Sequence, residues 1–288
     1  MKQFLVLGVI NGAVYGLLAT GLVLVYKGAR VFNFAQAEFG TVAAFFAYWL
    51  IEKQHLPYWA GDLLAILGIA IVGFLVERLI VRPLFTAPRV TLLVATAGVA
   101  LVLIQLQFII VGANAVQIGP ALRGIGVNIL DVVVSPQRLL IFGVLVILGL
   151  GMGYFFSRTD LGLAVLATSQ EPVATELAGI GTRRMSSFIW TFAAVLGGIA
   201  GVLLAPTGAL FPGFMTITDL LPAFTAAVVG GITSLPGAFL GGLLIGITQG
   251  LGEFYFGSST IVRGAANLLV FAVLVLLVRP KGLIGREA

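Results

Sequence analysis

Nine apolar stretches dominate this chain of 288 residues, at 4–26, 31–51, 59–81, 91–112, 138–156, 187–210, 219–234, 236–256 and 260–278. A bilayer core of about 30 Å needs roughly 20 apolar residues as a helix. Charged residues make up 9% and hydrophobic residues 60%, against about 25% and 45–50% in an ordinary soluble domain. So few charges cannot cover a soluble surface. The expected fold is an all-α polytopic membrane protein with about eight or nine transmembrane segments, read as one transmembrane domain over 1–288. MKQFLVLGVI imitates a signal peptide, but the apolar run continues to Tyr26 with no small-residue cleavage site, so it reads as an uncleaved first span.

The seventh stretch is short and contains Pro222, and Pro236 separates it from the eighth. This pair is expected to form half-helices or a re-entrant hairpin rather than two full crossings. With the N-terminus outside and nine crossings, Lys27, Arg30, Arg78, Arg82, Arg89, Arg158, Arg183, Arg184, Arg279, Lys281 and Arg286 fall on one side. Lys2, Lys53, Arg123, Arg138 and Arg263 fall on the other. Eleven of the 16 basic residues on one side marks that side, and the C-terminus, as cytoplasmic. Their scatter among apolar runs argues for topology and lipid contact rather than nucleic-acid binding.

Cysteine is absent and His55 is the one histidine. That removes disulfides and thiolate or His–His metal sites. GLGMG at 149–153 lies inside a span with no preceding strand and is read as packing. No G-x-x-x-x-G-K-[ST] occurs, so any ATP and Mg used must be bound by another chain. The chain is read as a transport subunit, not an enzyme, with no metal or cofactor of its own.

Glycines recur at four-residue spacing: Gly8, Gly12 and Gly16; Gly197 and Gly201; Gly242, Gly246 and Gly250. Lipid supplies little hydrophobic drive between helices, so close backbone approach carries the packing. These ladders are expected inside the chain, with a subunit interface as the alternative.

Polar groups at membrane depth are costly and are functional candidates by default. In VFNFAQAEFG, residues 31–40, Asn33, Gln36 and Glu38 interrupt an apolar stretch. At about 100° per residue, Glu38 lies about 140° from Asn33 and about 160° from Gln36. Either Glu38 faces a different neighbour or the backbone is irregular here, with Gly28 and Gly40 permitting a break. An irregular start would free helix N–H groups for an anionic ligand. Asn33 and Gln36 are the better candidates for facing a pathway, and Glu38 for a structural role. Glu38 stays among the pathway candidates, with Asn11, Thr96 and Gln105. Thr20, Thr91, Gln107 and Gln249 read as helix-joining groups. Glu77 and Arg78 are expected at headgroups and Asp62 at the outer interface. Asp219 suits a helix N-terminus, and Arg263 is expected to pair with Glu253 or Asp219.

INGAVYGLLATGLVLVYKGARVFNFAQAEFG at 10–40, LPAFTAAVVGGITSLPGAFLGGLLIG at 221–246 and VRPKGLIG at 278–285 together resemble the permease subunits of branched-chain, or hydrophobic, amino acid ABC importers. Gln36 stands where that family usually has histidine, and Ala37 where it has glycine. The inner loop 157–186 fits a coupling loop. Aligned on Gly179, Val173 replaces the family's glutamate, Ala174 is kept and Thr175 replaces the second alanine. Glu171 or Glu176 is then the candidate carboxylate, with docking mainly by shape as the alternative. Arg183 is expected beside the ATPase.

The resemblance implies alternating access driven by two ATPase subunits in a bacterial inner membrane. It also implies a second homologous permease, usually a different chain, and an extracytoplasmic substrate-binding protein. Related permeases for urea, amides or small organic and aromatic acids are alternatives within the class. An ion-coupled secondary transporter is the alternative outside it.

Overall fold

A computed structural model of the chain describes residues 1–122, 124–129, 131–257 and 264. The last predicted span apart from Gly264, VRPKGLIG, Arg123, Arg263 and Asn267 lie outside the described residues. The fold is mostly helical. In chain order the elements are α1 (Lys2–Ala29), α2 (Gln36–Tyr48), α3 (Tyr58–Val76), α4 (Arg89–Val111), β1 (Val127–Ile129), β2 (Val132–Val134), α5 (Pro136–Arg158), α6 (Asp160–Gln170), α7 (Pro172–Leu177), α8 (Thr182–Leu204), α9 (Phe214–Thr218), α10 (Leu220–Gly230) and α11 (Leu235–Phe256). Among the described residues six helices are long and apolar enough to cross a membrane, and α10 is a shorter apolar helix.

Three expectations change. The 31–51 segment begins as a helix only at Gln36 and ends in a π turn, Trp49–Lys53. The seventh and eighth segments are not two half-helices. The 11 residues of α10 reach about 16 Å, half a bilayer core, whereas α11 has 22. The chain is also not purely helical, because the predicted outer loop carries the β1–β2 hairpin in register Val127↔Val134.

The chain divides into two compact units. The first comprises Met1–Thr20, Pro120–Met152 and Leu221–Ala288. Here α11 runs antiparallel to α1, backbone against backbone. A Cβ on Gly8 would lie 2.5 Å from the Gly246 carbonyl, and one on Gly12 would lie 2.8 Å from that of Gly242. Gly16 meets the Phe239 backbone in the same way. Such contact recovers dispersion energy that lipid exposure cannot supply. The turn between α10 and α11 uses Gly231 at φ 107, and Ser234 caps α11 by accepting from Gly237 N–H at 3.1 Å.

The second unit comprises Gly21–Gly119 and Gly153–Leu220. Its core is α2, α3 and α8. Gly197 packs on Gln36 and Gly201 on Gly40, so α2 and α8 run the same way. Gly73 packs on Ala194 and Gly198 on Ile69, so α3 runs against α8. Trp190 and Phe39 are buried in this core.

Candidate functional site

The chain leaves α1 at Arg30, whose φ of 55 is left-handed. A non-glycine residue there carries a strain of about 1–2 kcal/mol. Arg30 Nη2 donates to the Ser169 carbonyl near the end of α6 at 3.2 Å, where a cation also favours the negative end of a helix. Gly28 and Gly40 permit a break by sequence, but the reversal falls on Arg30.

Residues 31–35 then climb to Gln36 without helical pairing. Asn33 organises this stretch. Its Oδ1 accepts from Ala35 N–H at 3.0 Å and its carbonyl from Gln36 N–H at 3.2 Å. Thr96 Oγ1 on α4 accepts from Phe34 N–H at 3.2 Å and lies 2.9 Å from the Leu93 carbonyl, to which it donates. Gln36 Nε2 donates to the Ala193 carbonyl at 2.8 Å. Ala193 is eleven residues into α8, so α2 starts about 16 Å along that helix, deep in the span. Irregular backbone at such depth survives only where protein satisfies it, and Asn33 and Thr96 do so.

Glu38 turns away from Gln36, as the roughly 160° between them requires. Gln107 Nε2 on α4 donates to Glu38 Oε2 at 2.6 Å, and Thr41 Oγ1 lies 3.5 Å from Glu38 Oε1. Gln107 Oε1 accepts from Gly213 N–H at 3.0 Å, and Thr41 Oγ1 accepts from Met215 N–H at 3.4 Å. Gly213 is left-handed at φ 76 and caps α9. The network joins α2, α4 and the α8–α9 connection. Among the described residues Glu38 has no ion pair, and the buried Thr216 Oγ1 lies beside it.

The pathway candidates therefore divide. Asn33, Gln36 and Glu38 are 0% exposed and Thr96 is 1% exposed, and all four hydrogen-bond to protein groups. Asn11 and Gln105 are exposed on α1 and α4. Sequence reasoning gave Gln107 only a helix-joining role. Its weight comes from facing Glu38 across 69 positions of sequence, which no local pattern encodes. Asp62, expected at the interface, is 7% exposed with Oδ1 buried and unbonded. Glu77, expected at headgroups, is fully buried against Arg82.

The inner loop holds two helices where one was expected. Thr159 caps α6, accepting from Gly162 N–H at 3.1 Å. Then α7 opens on Pro172, whose fixed φ suits a first helical position. It closes on Gly179 at φ 85, with Ile180 N–H bonded to the Thr175 carbonyl at 3.1 Å. Thr175 is buried. Glu171, Ala174, Glu176 and Arg183 are exposed, and Val173 and Leu177 are 73% and 85% exposed. Thr182 bonds Glu176, tying α7 to the start of α8.

Residues 4–278 match the family model described as branched-chain amino acid transport system / permease component. The chain belongs to this family. It is 34% identical to the high-affinity branched-chain amino acid transport system permease protein BraD of Pseudomonas aeruginosa, over 99% of this chain and 95% of that protein. It is 28% identical to the corresponding LivH of Escherichia coli, over 97% and 94%. Among solved structures it resembles PsaBC from Streptococcus pneumoniae in complex with Fab, with a TM-score of 0.52 at 16% identity, covering 96% of this chain and 92% of that one. At that identity the likeness concerns the fold alone. As a member of the permease family this chain is a multi-pass membrane protein.

Proposed function

We propose that this chain is one permease subunit of an ATP-driven importer for branched-chain or other hydrophobic amino acids in the cytoplasmic membrane, working by alternating access. The observation that carries the reading is α7. A six-residue helix held between a proline start and a left-handed glycine presents Val173 and Leu177 outward beside Glu171, Glu176 and Arg183. Exposed apolar side chains rimmed by charge fit a protein partner. The chain has no nucleotide loop of its own, so the partner is the ATPase, in two copies that bind ATP and Mg. Docking rests mainly on shape and apolar contact, since Val173 occupies the place of a carboxylate.

The N-terminus lies outside and the C-terminus in the cytoplasm. The basic-residue count supports this, and the helix directions are compatible with it: α2 parallel to α8, α3 against α8, and α11 against α1. A second homologous permease, usually a different chain, and an extracytoplasmic binding protein complete the importer. Asn33, Gln36, Glu38 and Thr96 shape the pathway at about mid-span, while Asn11 and Gln105 are the exposed candidates to line it.

The test is uptake in proteoliposomes containing the permease pair, the ATPase and binding protein loaded with leucine, isoleucine or valine. Uptake is expected only with ATP inside. Accumulation driven by a proton or sodium gradient alone would sink the proposal. Uptake of urea or amides in preference to these amino acids would reassign the substrate.

A further inference from the structure

Where α3 ends, its backbone widens into a π turn, Glu77–Val81, with Arg82 N–H bonded to the Glu77 carbonyl. In an α-helix residues five apart are about 140° around the axis and cannot meet. The i→i+5 bonding of a π turn stacks them instead. Arg82 Nε donates to Glu77 Oε1 at 3.2 Å and Nη2 to Glu77 Oε2 at 3.0 Å, a two-pronged pair. Glu77 is fully buried, while the Arg82 side chain is 20% exposed.

The pair also reaches across to α8. Arg82 Nη2 lies 2.5 Å from Ser187 Oγ and 3.1 Å from the Arg183 carbonyl, and Ser187 Oγ donates to Glu77 Oε2 at 2.8 Å. Arg183 sits in the first turn of α8, one residue after the Thr182 that bonds Glu176 of α7. An unbroken series of bonds thus runs from α7 through the start of α8 to the end of α3.

We infer that Glu77, Arg82 and Ser187 are positioning residues that lock the inner end of α3 to the α7–α8 corner, so that displacement of α7 moves α3 and α8 as one body. This rests on the proposal that α7 docks an ATPase. Sliding of α8 past this end of α3 would break the Ser187 bond to Glu77 and the Arg82 bonds to Ser187 and the Arg183 carbonyl together, leaving buried charge-assisted partners unsatisfied, so the contact tolerates little displacement. An apolar contact in the same place would let the two helices slip.

The test uses the complete importer in proteoliposomes, measuring substrate carried per ATP hydrolysed. Glu77→Gln, Arg82→Lys and Ser187→Ala are each expected to leave ATP hydrolysis near the wild-type rate while lowering this ratio. For Glu77→Gln the fall is about tenfold, the factor expected from losing one charge-assisted hydrogen bond. The chain has no cysteine, so spin labels can be placed at Phe85→Cys and Arg184→Cys, both exposed. The label distance is expected to stay constant between nucleotide-free and vanadate-trapped wild type, and to split into two populations on trapping in Glu77→Gln. If Glu77→Gln fails to assemble, the Ser187→Ala ratio decides. Unchanged ratios, or a label distance that shifts in trapped wild type, overturn the inference alone. Wild-type uptake without ATP overturns the importer reading and the inference with it.

Discussion

Gln107 donates to Glu38 at 2.6 Å and, through its other amide atom, accepts from the backbone of Gly213 at 3.0 Å. One side chain thereby satisfies a carboxylate and an N–H at membrane depth, where neither finds water. The amide has no choice of orientation: its oxygen must face the N–H and its nitrogen the carboxylate.

Gln107→Leu removes both bonds and leaves Glu38 and the Gly213 N–H stranded. A loss of about 3 kcal/mol is expected from the unsatisfied groups, read as a lower unfolding midpoint in detergent. Glu38→Gln keeps a partner for Gln107 and is expected to cost about 1 kcal/mol. Equal midpoints for the two variants would show that the network carries no stability.

Gly201 faces the backbone of Gly40, while Gly98 on α4 has open space around its missing side chain. Gly201→Ala is therefore expected to separate α2 from α8 and abolish folded protein in membranes. Gly98→Ala is expected to be neutral or stabilising by up to about 1 kcal/mol, the helix-propensity gain. Folded yields by size-exclusion profile distinguish the two.

Gly179 closes α7 with a left-handed φ that an L side chain adopts only with strain. Gly179→Arg and the double variant Val173→Asp/Leu177→Asp are expected to insert normally, yet to lose the ATPase on affinity purification. Retention of stoichiometric ATPase by both would remove α7 as the docking element.

Arg30 combines a left-handed backbone with the contact to Ser169. Arg30→Ala keeps the strained backbone and deletes the contact; Arg30→Gly deletes the contact and relieves the strain. ATP-driven uptake is expected to fall in each, and Arg30→Gly is expected to be more stable than Arg30→Ala by about 1–2 kcal/mol. Full uptake by Arg30→Gly would show that the tether to α6 is dispensable.

Hydrophobic run length by itself determined that the chain spans a membrane many times, because bilayer thickness sets a length that composition alone can meet. Proline and glycine placed α7 for a related reason: Pro172 and Gly179 act on the backbone locally and need no neighbour. Glycine spacing marked the helix faces that approach closely, but Gly8 meeting Gly246 and Gly201 meeting Gly40 became definite only in the folded chain. The polar residues were visible as oddities in VFNFAQAEFG, and helical angles already separated Glu38 from Gln36. Their partners, Ala193 and Gln107, lie far away in sequence. The Glu77–Arg82 pair was hidden for another reason, since five residues is the wrong spacing for an α-helix and only a π turn brings them together. Local backbone preference and bilayer thickness are written residue by residue. The pairing of buried polar groups depends on which helices pack together, and that was settled only by the tertiary structure.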